Sequence, residues 1–260
     1  MKVVLLAMMV MFLSSATVSA AMHSDVVEYR QGEVLLEGYL AYDDSFKGQR
    51  PGVLVIHEWT GIVPYIKARA QQLASMGYVA FAPDIYGKGI RPTNAKEAAT
   101  VSGQYKADRT LLRLRANAGL DILRNQSQVD PARLAVIGYC FGGMTALELA
   151  RSGANIAAVV SFHGNLNTPT PEDAKNIRGK VLVLHGGDDP FVPASEVAAF
   201  QDEMRKANVD WQMVIYGGAV HSFTNPDSGS NKTSGVAYDR QADKRSFAAM
   251  RVFFQEVLGM

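Results

Sequence analysis

The sequence feature that most constrains this chain is an apolar run at residues 135–143 that ends in glycines around the single cysteine. The run contains the pattern Gly-x-Cys-x-Gly, in which a strand turns sharply into a helix and lifts one side chain clear of the backbone. Gly138 and Gly142 fit that turn because a side chain at either position would collide with the strand or the helix. A helix is predicted from residue 144, and the partial positive charge at its N-terminus would favour a thiolate at Cys140.

A second interpretation of Cys140 is open at this point, because most free cysteines are small hydrophobic residues in a protein core. The five-residue pattern alone does not decide between a core residue and a nucleophile. Residues further along the chain make that decision.

The strands and helices expected in the rest of the chain predict one α/β domain. Continuous apolar runs bounded by proline, glycine or polar loops are typical of strands covered on both faces of a parallel sheet. Such strands are expected at residues 52–56, 78–84, 133–139, 156–164, 181–186 and 211–216, after an antiparallel hairpin at 26–42. Helices are expected at 62–76, 94–125, 144–150, 195–207 and 242–258. This alternation predicts a doubly wound, mostly parallel sheet with helices on both faces.

The N-terminus has the pattern of a secretory signal peptide. Lys2 precedes an uncharged run at residues 3–13, and small residues follow up to Ala20. We expect residues 1–20 to be removed, with cleavage after Ala20 or Ala21, because the apolar run is too short to span a bilayer. The mature domain at 21–260 would then be periplasmic or secreted, with no membrane attachment.

The charge balance gives no indication of a nucleic-acid partner. The whole chain has 26 Lys and Arg against 25 Asp and Glu, and loss of Lys2 with the signal peptide leaves a formal net charge of zero. One cysteine cannot form a disulfide within the chain, and a free thiol is a liability in an oxidising compartment. The presence of Cys140 is therefore better explained by chemistry than by stability.

Two strand ends downstream supply the partners that a nucleophilic cysteine needs. Asp188 and Asp189 follow the strand at 181–186, and His221 follows the strand at 211–216. Nucleophile, acid and histidine in this chain order are typical of an α/β hydrolase. Alone, the aspartates could be a solvated turn pair and His221 a loop histidine.

Chemistry then assigns the roles. His221 would take the thiol proton and return it to the leaving group, while a carboxylate orients the imidazole. We assign that carboxylate to Asp189, because Asp188 can simply cap the turn. His163 and His185 also end apolar strands, but no acid is placed to pair with them, and we interpret both as structural.

The loop after the strand at 52–56 carries two further candidates. Glu58 is either a surface residue or a second acidic partner for the thiol. The backbone N–H groups of Trp59 and Phe141 are where an oxyanion hole is expected, since the usual donors are the residue after the nucleophile and one from this loop.

The chain resembles the dienelactone hydrolases over nearly all of the predicted mature domain. Five ordered segments carry the resemblance, at residues 57–61, 82–87, 138–143, 187–193 and 218–223. The resemblance implies that Cys140, Asp189 and His221 form a triad, and that Glu58 pairs with the resting thiol until substrate displaces it. It implies hydrolysis of a small ester or lactone through a thioester, with no metal and no cofactor.

One departure from the family concerns the substrate. Family members that open the chlorocatechol-pathway lactone hold its carboxylate with arginines, one of them four residues after the catalytic histidine. Asn225 occupies that position here, and an amide cannot offer a charged bidentate fork. Lys88 or Arg91 could replace the missing charge, or both could be solvated surface residues. Residues 225–235 are rich in Ser, Asn and Gly and predict a mobile loop near the site.

Three functions are compatible with these residues. The first is an exported cysteine-dependent hydrolase of a small ester or lactone. The second is a non-catalytic binding protein that keeps the hydrolase scaffold, in which the three side chains would lie beyond hydrogen-bond reach. The third, a thiol redox protein, is the weakest, because the chain has no second cysteine to resolve a sulfenic acid.

Overall fold

The computed structural model describes residues 22–260. The segment interpreted as a signal peptide lies outside the described residues. Within residues 22–260, no helix has both the length and the apolar character needed to cross a membrane.

The core of the molecule is one sheet of eight strands in the order β1-β2-β4-β3-β5-β6-β7-β8. The strands are β1 Met22–Gln31, β2 Val34–Asp43, β3 Arg50–Ile56, β4 Val79–Ala82, β5 Val129–Tyr139, β6 Ala158–Phe162, β7 Lys180–Gly186 and β8 Trp211–Tyr216. The first two strands form the predicted antiparallel hairpin, and β2 pairs antiparallel with β4. All other pairings are parallel.

Helices cover both faces of the sheet, as predicted. They are α1 Pro64–Ala74, α2 Ala95–Ala107, α3 Arg109–Arg124, α4 Phe141–Arg151, α5 Ala194–Lys206 and α6 Arg240–Leu258. Buried apolar residues of α1 and α6 pack on one face, and those of α2, α3, α4 and α5 pack on the other. The predicted doubly wound α/β architecture is confirmed.

Two of the differences between predicted and observed boundaries have a clear local cause. The single helix expected at 94–125 is interrupted at Asp108, whose backbone is not helical and whose side chain accepts a hydrogen bond from Leu111 N and so caps α3. The strand before the cysteine begins at Val129 rather than at Arg133, because a bulge separates the pairing of Pro51 with Asp130 from that of Gly52 with Leu134.

The strand register brings the predicted site residues to one edge of the sheet. Ile56 pairs with Gly138, Tyr139 with Phe162, and Phe162 with Leu184. The loops that follow β3, β5, β6 and β7 therefore start side by side at the carboxyl ends of the strands, which is where open α/β sheets place their ligands.

Candidate active site

Cys140 stands on a strained turn between β5 and α4. Its φ is 55° and its ψ is −115°, a conformation that non-glycine residues rarely adopt and that is concentrated at functional sites. A Cβ atom at Gly138 would lie 1.9 Å from the carbonyl oxygen of Gly142, so the turn requires a glycine there. A Cβ atom at Gly142 would lie 2.2 Å from the carbonyl oxygen of Ile56. The first turn of α4 therefore packs directly against the end of β3.

The structure brings together the three side chains that the sequence predicts to be catalytic. His221 Nε2 lies 3.0 Å from Cys140 Sγ, and His221 Nδ1 lies 2.8 Å from Asp189 Oδ2. The second oxygen of Asp189 accepts a hydrogen bond from the backbone N–H of Phe191 at 2.9 Å. Asp189 is 6% exposed and His221 is 8% exposed, whereas Asp188 is exposed. Of the two aspartates, Asp189 is the one that contacts His221.

Electrostatics favour a positive charge on His221. Burial lowers its pKa, but the sulfur of Cys140 and the carboxylate of Asp189 outweigh burial and raise the pKa to about 10. An imidazole with such a pKa is protonated at neutral pH when the sulfur beside it carries negative charge. The arrangement thus suits a thiolate and imidazolium pair.

Glu58 is hydrogen-bonded to the residues that follow His221. It is 4% exposed, and its two oxygens accept hydrogen bonds from Ser222 Oγ at 2.8 Å and from Asn225 Nδ2 at 2.6 Å. Burial raises the pKa of Glu58, and these two donors act in the opposite direction. Both carboxylate oxygens thus bond to the loop at residues 221–225, hereafter the histidine loop, and the expected pairing of Glu58 with the resting thiol stays a prediction.

Asn225, Lys88 and Arg91 are engaged within the protein rather than aimed at a substrate. Asn225 donates to Glu58 with its Nδ2 and accepts from the backbone N–H of Asp227 with its Oδ1. The ammonium group of Lys88 pairs with Glu28 on the edge strand β1. The guanidinium of Arg91 bonds to the carbonyl oxygen of Ile90 at 2.8 Å and lies 3.5 Å from Asp84. The expectation that these residues hold a substrate carboxylate stays a prediction.

The two backbone amides expected to form an oxyanion hole lie in neighbouring segments. Phe141 is the first residue of α4, and Trp59 lies in the loop whose start contacts Gly142. Among residues 22–260, neither amide donates a hydrogen bond to a protein acceptor. Both N–H groups therefore lack a protein acceptor in this part of the chain, and Phe141 is fully buried whereas Trp59 is 37% exposed.

Two buried residues that the sequence reasoning missed hold the loop of Trp59. His57 Nδ1 donates to the carbonyl oxygen of Glu58 at 2.6 Å, and its Nε2 accepts from Ile85 N. The hydroxyl of Tyr86 donates to the carbonyl oxygen of Trp59 at 2.9 Å. Both residues lie inside the segments that resemble the dienelactone hydrolases, and this was the signal that could have found them.

His163 has a more specific place than the sequence predicted. Its Nδ1 accepts a hydrogen bond from the backbone N–H of Cys140 at 3.1 Å, and its Nε2 lies 2.6 Å from Thr224 Oγ1. The ring is buried, and this lowers its pKa well below the ordinary value. His185 is buried at the end of β7, and its Nδ1 has no partner among the described residues.

The loop at 225–235 is tied to the histidine. His221 N donates to Gly235 O at 3.0 Å, and Ala237 N donates to His221 O at 3.1 Å. A Cβ atom at Gly235, whose φ is 78°, would lie 2.3 Å from Pro190 in the loop that carries the acid. The predicted mobility of this loop stays a prediction. Its two ends, however, are fixed by contacts to the site.

Aromatic side chains border the site. Trp59 is 37% exposed, and Phe191 is 49% exposed with its ring 5.4 Å from that of His221 in an edge-to-face arrangement. A thiol beside these rings is reached past apolar surface, which suits small substrates with an apolar part.

Comparisons with known proteins agree with this geometry. The model of the Dienelactone hydrolase family matches residues 36–258. The solved structure called m3DLH is 42% identical, has a TM-score of 0.88, and matches 92% of this chain and 99% of its own. A dienelactone hydrolase-like promiscuous phosphotriesterase from metagenomic libraries is also 42% identical, with a TM-score of 0.86 and the same coverage.

A curated relative from a named organism is also similar to this chain. A putative carboxymethylenebutenolidase of Aquifex aeolicus (strain VF5) is 30% identical over 77% of this chain and 87% of its own length. The predicted α/β-hydrolase fold is confirmed by the matched family and by the solved structures.

Proposed function

The chain belongs to the dienelactone hydrolase family and hydrolyses small esters or lactones, and from that premise we propose that Cys140 is its nucleophile. The observation that carries the proposal is the continuous relay from Cys140 Sγ through His221 to Asp189, with contacts of 3.0 Å and 2.8 Å. A binding protein without activity has no need of this relay. The second function considered from the sequence is therefore disfavoured.

In the proposed reaction, the Cys140 thiolate attacks the carbonyl carbon of the ester. Negative charge moves to the carbonyl oxygen, where the amides of Trp59 and Phe141 stabilise it. The protonated His221 then gives its proton to the departing alkoxide, and a thioester remains on the sulfur. For a lactone, the alcohol produced stays attached to the acyl group, because ring opening breaks one bond of a cycle.

Hydrolysis of the thioester uses the same groups in reverse. His221 takes a proton from water, the hydroxide attacks the thioester carbonyl, and the sulfur leaves as a thiolate beside the imidazolium. Asp189 keeps His221 in the required tautomer and stabilises its positive charge, which its short contact to Nδ1 supports.

Glu58 is proposed to act through the histidine loop. Its hydrogen bonds to Ser222 and Asn225 fix the residues that follow His221, and a carboxylate suits both donors. In this structure the Cys140 sulfur already contacts the His221 imidazole. Glu58 therefore does not have to move before the sulfur attacks the substrate.

We also propose that the enzyme acts outside the cytoplasm. The support is the N-terminal pattern of one lysine, an uncharged run and small residues up to Ala20. Cell fractionation with N-terminal sequencing of the purified protein tests this, and a cytoplasmic product that retains Met1 would contradict it.

The central experiment compares Cys140→Ala and wild type in p-nitrophenyl acetate hydrolysis. We expect kcat/KM to fall by at least about 10⁴-fold, because loss of the nucleophile leaves only binding and the oxyanion hole. Mass spectrometry of the quenched wild type should show one acyl group on Cys140. Unchanged turnover in the variant would overturn the proposal.

A phosphotriester is a second candidate substrate class. The observation in its favour is the 42% identity to a promiscuous phosphotriesterase over 92% of this chain. Attack of the thiolate on phosphorus would expel the aryl oxide and leave a phosphorylated sulfur. Paraoxon hydrolysis that requires Cys140 would support this activity, and an absence of turnover in wild type would exclude it.

A further inference from the structure

A connected chain of polar side chains, all buried except the partly buried Asp243, runs from the turn of Cys140 to α6. Its members, hereafter the polar chain, are His163, Thr224, Tyr65, Arg69 and Asp243. The first touches the backbone of the nucleophile and the last belongs to α6. The polar chain thus connects the turn of Cys140, the histidine loop and two helices.

The contact to Cys140 fixes the proton on His163. Its Nδ1 faces the N–H of Cys140 at 3.1 Å and must therefore be the acceptor. The single proton of the neutral ring then lies on Nε2 and is donated to Thr224 Oγ1 at 2.6 Å. In a doubly protonated ring, the N–H at Nδ1 would face the backbone N–H of Cys140. The contact therefore requires a neutral His163.

The contacts to Thr224 fix the histidine loop. Thr224 is fully buried three residues after His221, and its hydroxyl lies 2.7 Å from the hydroxyl of Tyr65. Its carbonyl oxygen accepts from Arg69 Nη2 at 2.7 Å, and Arg69 also donates to Tyr65 and pairs with Asp243. One residue of the loop is thus held by both its side chain and its backbone.

The strained residues of the molecule gather around these contacts. Among residues 22–260, four non-glycine residues have positive φ, and three of them are Cys140, His163 and Ser222. Such conformations persist where surrounding contacts determine them. The hydrogen bond between His163 and Thr224 joins the segments that contain all three.

We propose that His163 and Thr224 are positioning residues that set the distance between the Cys140 sulfur and the His221 imidazole. The hydrogen bond between their side chains ties the turn that carries the sulfur to the loop that carries the imidazole. The inference rests on the proposed function of Cys140 and His221 as nucleophile and base. It adds two residues outside the relay, and the His163 ring also packs edge-to-face against the His221 imidazole, with the ring centroids 5.4 Å apart.

The variant Thr224→Val tests this with little change of shape. We expect kcat for p-nitrophenyl acetate to fall roughly tenfold to a hundredfold, because a displacement of the reacting groups by about 1 Å has an effect of that order. KM should change little, since no group that contacts substrate is removed. Thr224→Ser keeps the hydroxyl and should restore most of the rate.

A second readout does not depend on turnover. The rate of Cys140 alkylation by iodoacetamide, measured against pH, reports how far the sulfur is paired with the imidazole. In Thr224→Val the rise in rate should move to higher pH, and in Thr224→Ser it should return towards the wild-type position. If wild type hydrolyses no ester, the proposed function fails, and the alkylation profile still decides the positioning role.

The matched control is Thr145→Val, which makes the same change at another fully buried threonine. The hydroxyl of Thr145 donates to the carbonyl oxygen of Phe141 within α4 and has no contact with the polar chain. We expect wild-type kcat and a wild-type alkylation profile. Equal losses in Thr145→Val and Thr224→Val would show a general packing effect and overturn the proposal.

The variant His163→Asn reaches the same hydrogen bond from its other end. The Oδ1 atom of asparagine can replace Nδ1 as acceptor for the Cys140 N–H, and asparagine tolerates positive φ, but its side chain is too short to reach Thr224. Because His163→Asn also removes the ring that packs against His221, the double variant with Thr224→Val should be no worse than His163→Asn alone. Additive losses in kcat, or a wild-type profile in both folded variants, would contradict the proposal.

Discussion

Two buried clusters of charged and polar side chains lie at opposite parts of α4, and they differ in how completely their members are paired. The triad lies at the N-terminus of the helix. The second cluster, hereafter the arginine cluster, comprises Arg113, Glu148, Arg151, Asp173 and Glu203. It connects α4 with α3, α5 and the turn at 171–176.

In the arginine cluster, the central groups are fully bonded to one another. Arg151 is fully buried and donates to both oxygens of Glu203, at 2.7 and 2.8 Å. Glu148 accepts from Arg151 with one oxygen and from Arg113 with the other. A substrate would find no free donor or acceptor at these groups.

In the triad, the chain of hydrogen bonds ends at the sulfur of Cys140. Asp189 uses both oxygens and His221 both nitrogens, but Cys140 is partly exposed and the amides of Trp59 and Phe141 have no protein acceptor. Both clusters are buried and carry charged groups. The triad differs because its end at Cys140 is incompletely paired. Charge alone is therefore a weaker indicator of function than a hydrogen-bond chain that ends at a partly exposed group.

The largest difference between the two clusters is expected in stability, and Arg151→Met tests it. Removal of the guanidinium leaves Glu148 and Glu203 buried without it, and the free energy of unfolding should fall by about 3–5 kcal/mol. Urea titration measures this loss. The kcat of molecules that remain folded should change little. A large loss of kcat with unchanged stability would mean that the arginine cluster also belongs to the reaction.

The control for that prediction is Arg124→Met. Arg124 pairs with Asp121 one turn away on an exposed helix surface. Such pairs contribute about 0–1 kcal/mol, so the variant should unfold at nearly the wild-type urea concentration.

A smaller effect is expected when the triad loses its acid. In Asp189→Asn, kcat/KM should fall about a hundredfold, within the range for impaired acid and base catalysis. Because Asp189 is one of the groups that raise the pKa of His221 to about 10, the alkaline decline of activity should move to lower pH. Asp188→Asn alters the exposed neighbour and should keep both rate and profile. Equal losses in the two variants would reverse the assignment.

The smallest effect is a loss of stability in mild acid. Burial lowers the pKa of His57 from 6.5 to about 4 and also holds the pKa of His163 well below 6.5, so the unfolded chain binds more protons than the folded one below pH 6.5. Stability is therefore fully present above pH 6.5 and falls as pH decreases, by about 1.4 kcal/mol per pH unit for one such histidine.

Thermal melts of wild type and His57→Asn between pH 7 and pH 5 check this acid effect. The asparagine can still donate to Glu58 O but cannot titrate, so its melting temperature should depend less on pH. Equal slopes would contradict the assignment to His57. The arginine cluster contains no histidine and cannot contribute to this dependence by the same route.

Much of the fold could be predicted from the sequence, because the buried parallel strands are continuous apolar runs. The boundaries that differed depend on a cap at Asp108 and a bulge before Gly52, which are local events within otherwise regular patterns. Periodicity does not report such events.

The site was predictable to the extent that its residues follow strand ends. The proximity of Cys140, Asp189 and His221 follows from the parallel sheet. The partners of Glu58 do not, because they depend on side chains of the histidine loop folding back across the site. The same holds for His163, whose role depends on a backbone amide that carries no sequence signal.

The packing of Gly235 against Pro190 defines where this scaffold can be engineered. A larger residue at 235 would push on the proline and, through it, on the adjacent Asp189, so a library that varies this position would collect inactive members. The rings of Trp59 and Phe191 are exposed, and a substitution at Phe191 removes its ring from His221 but leaves the backbone N–H that bonds Asp189.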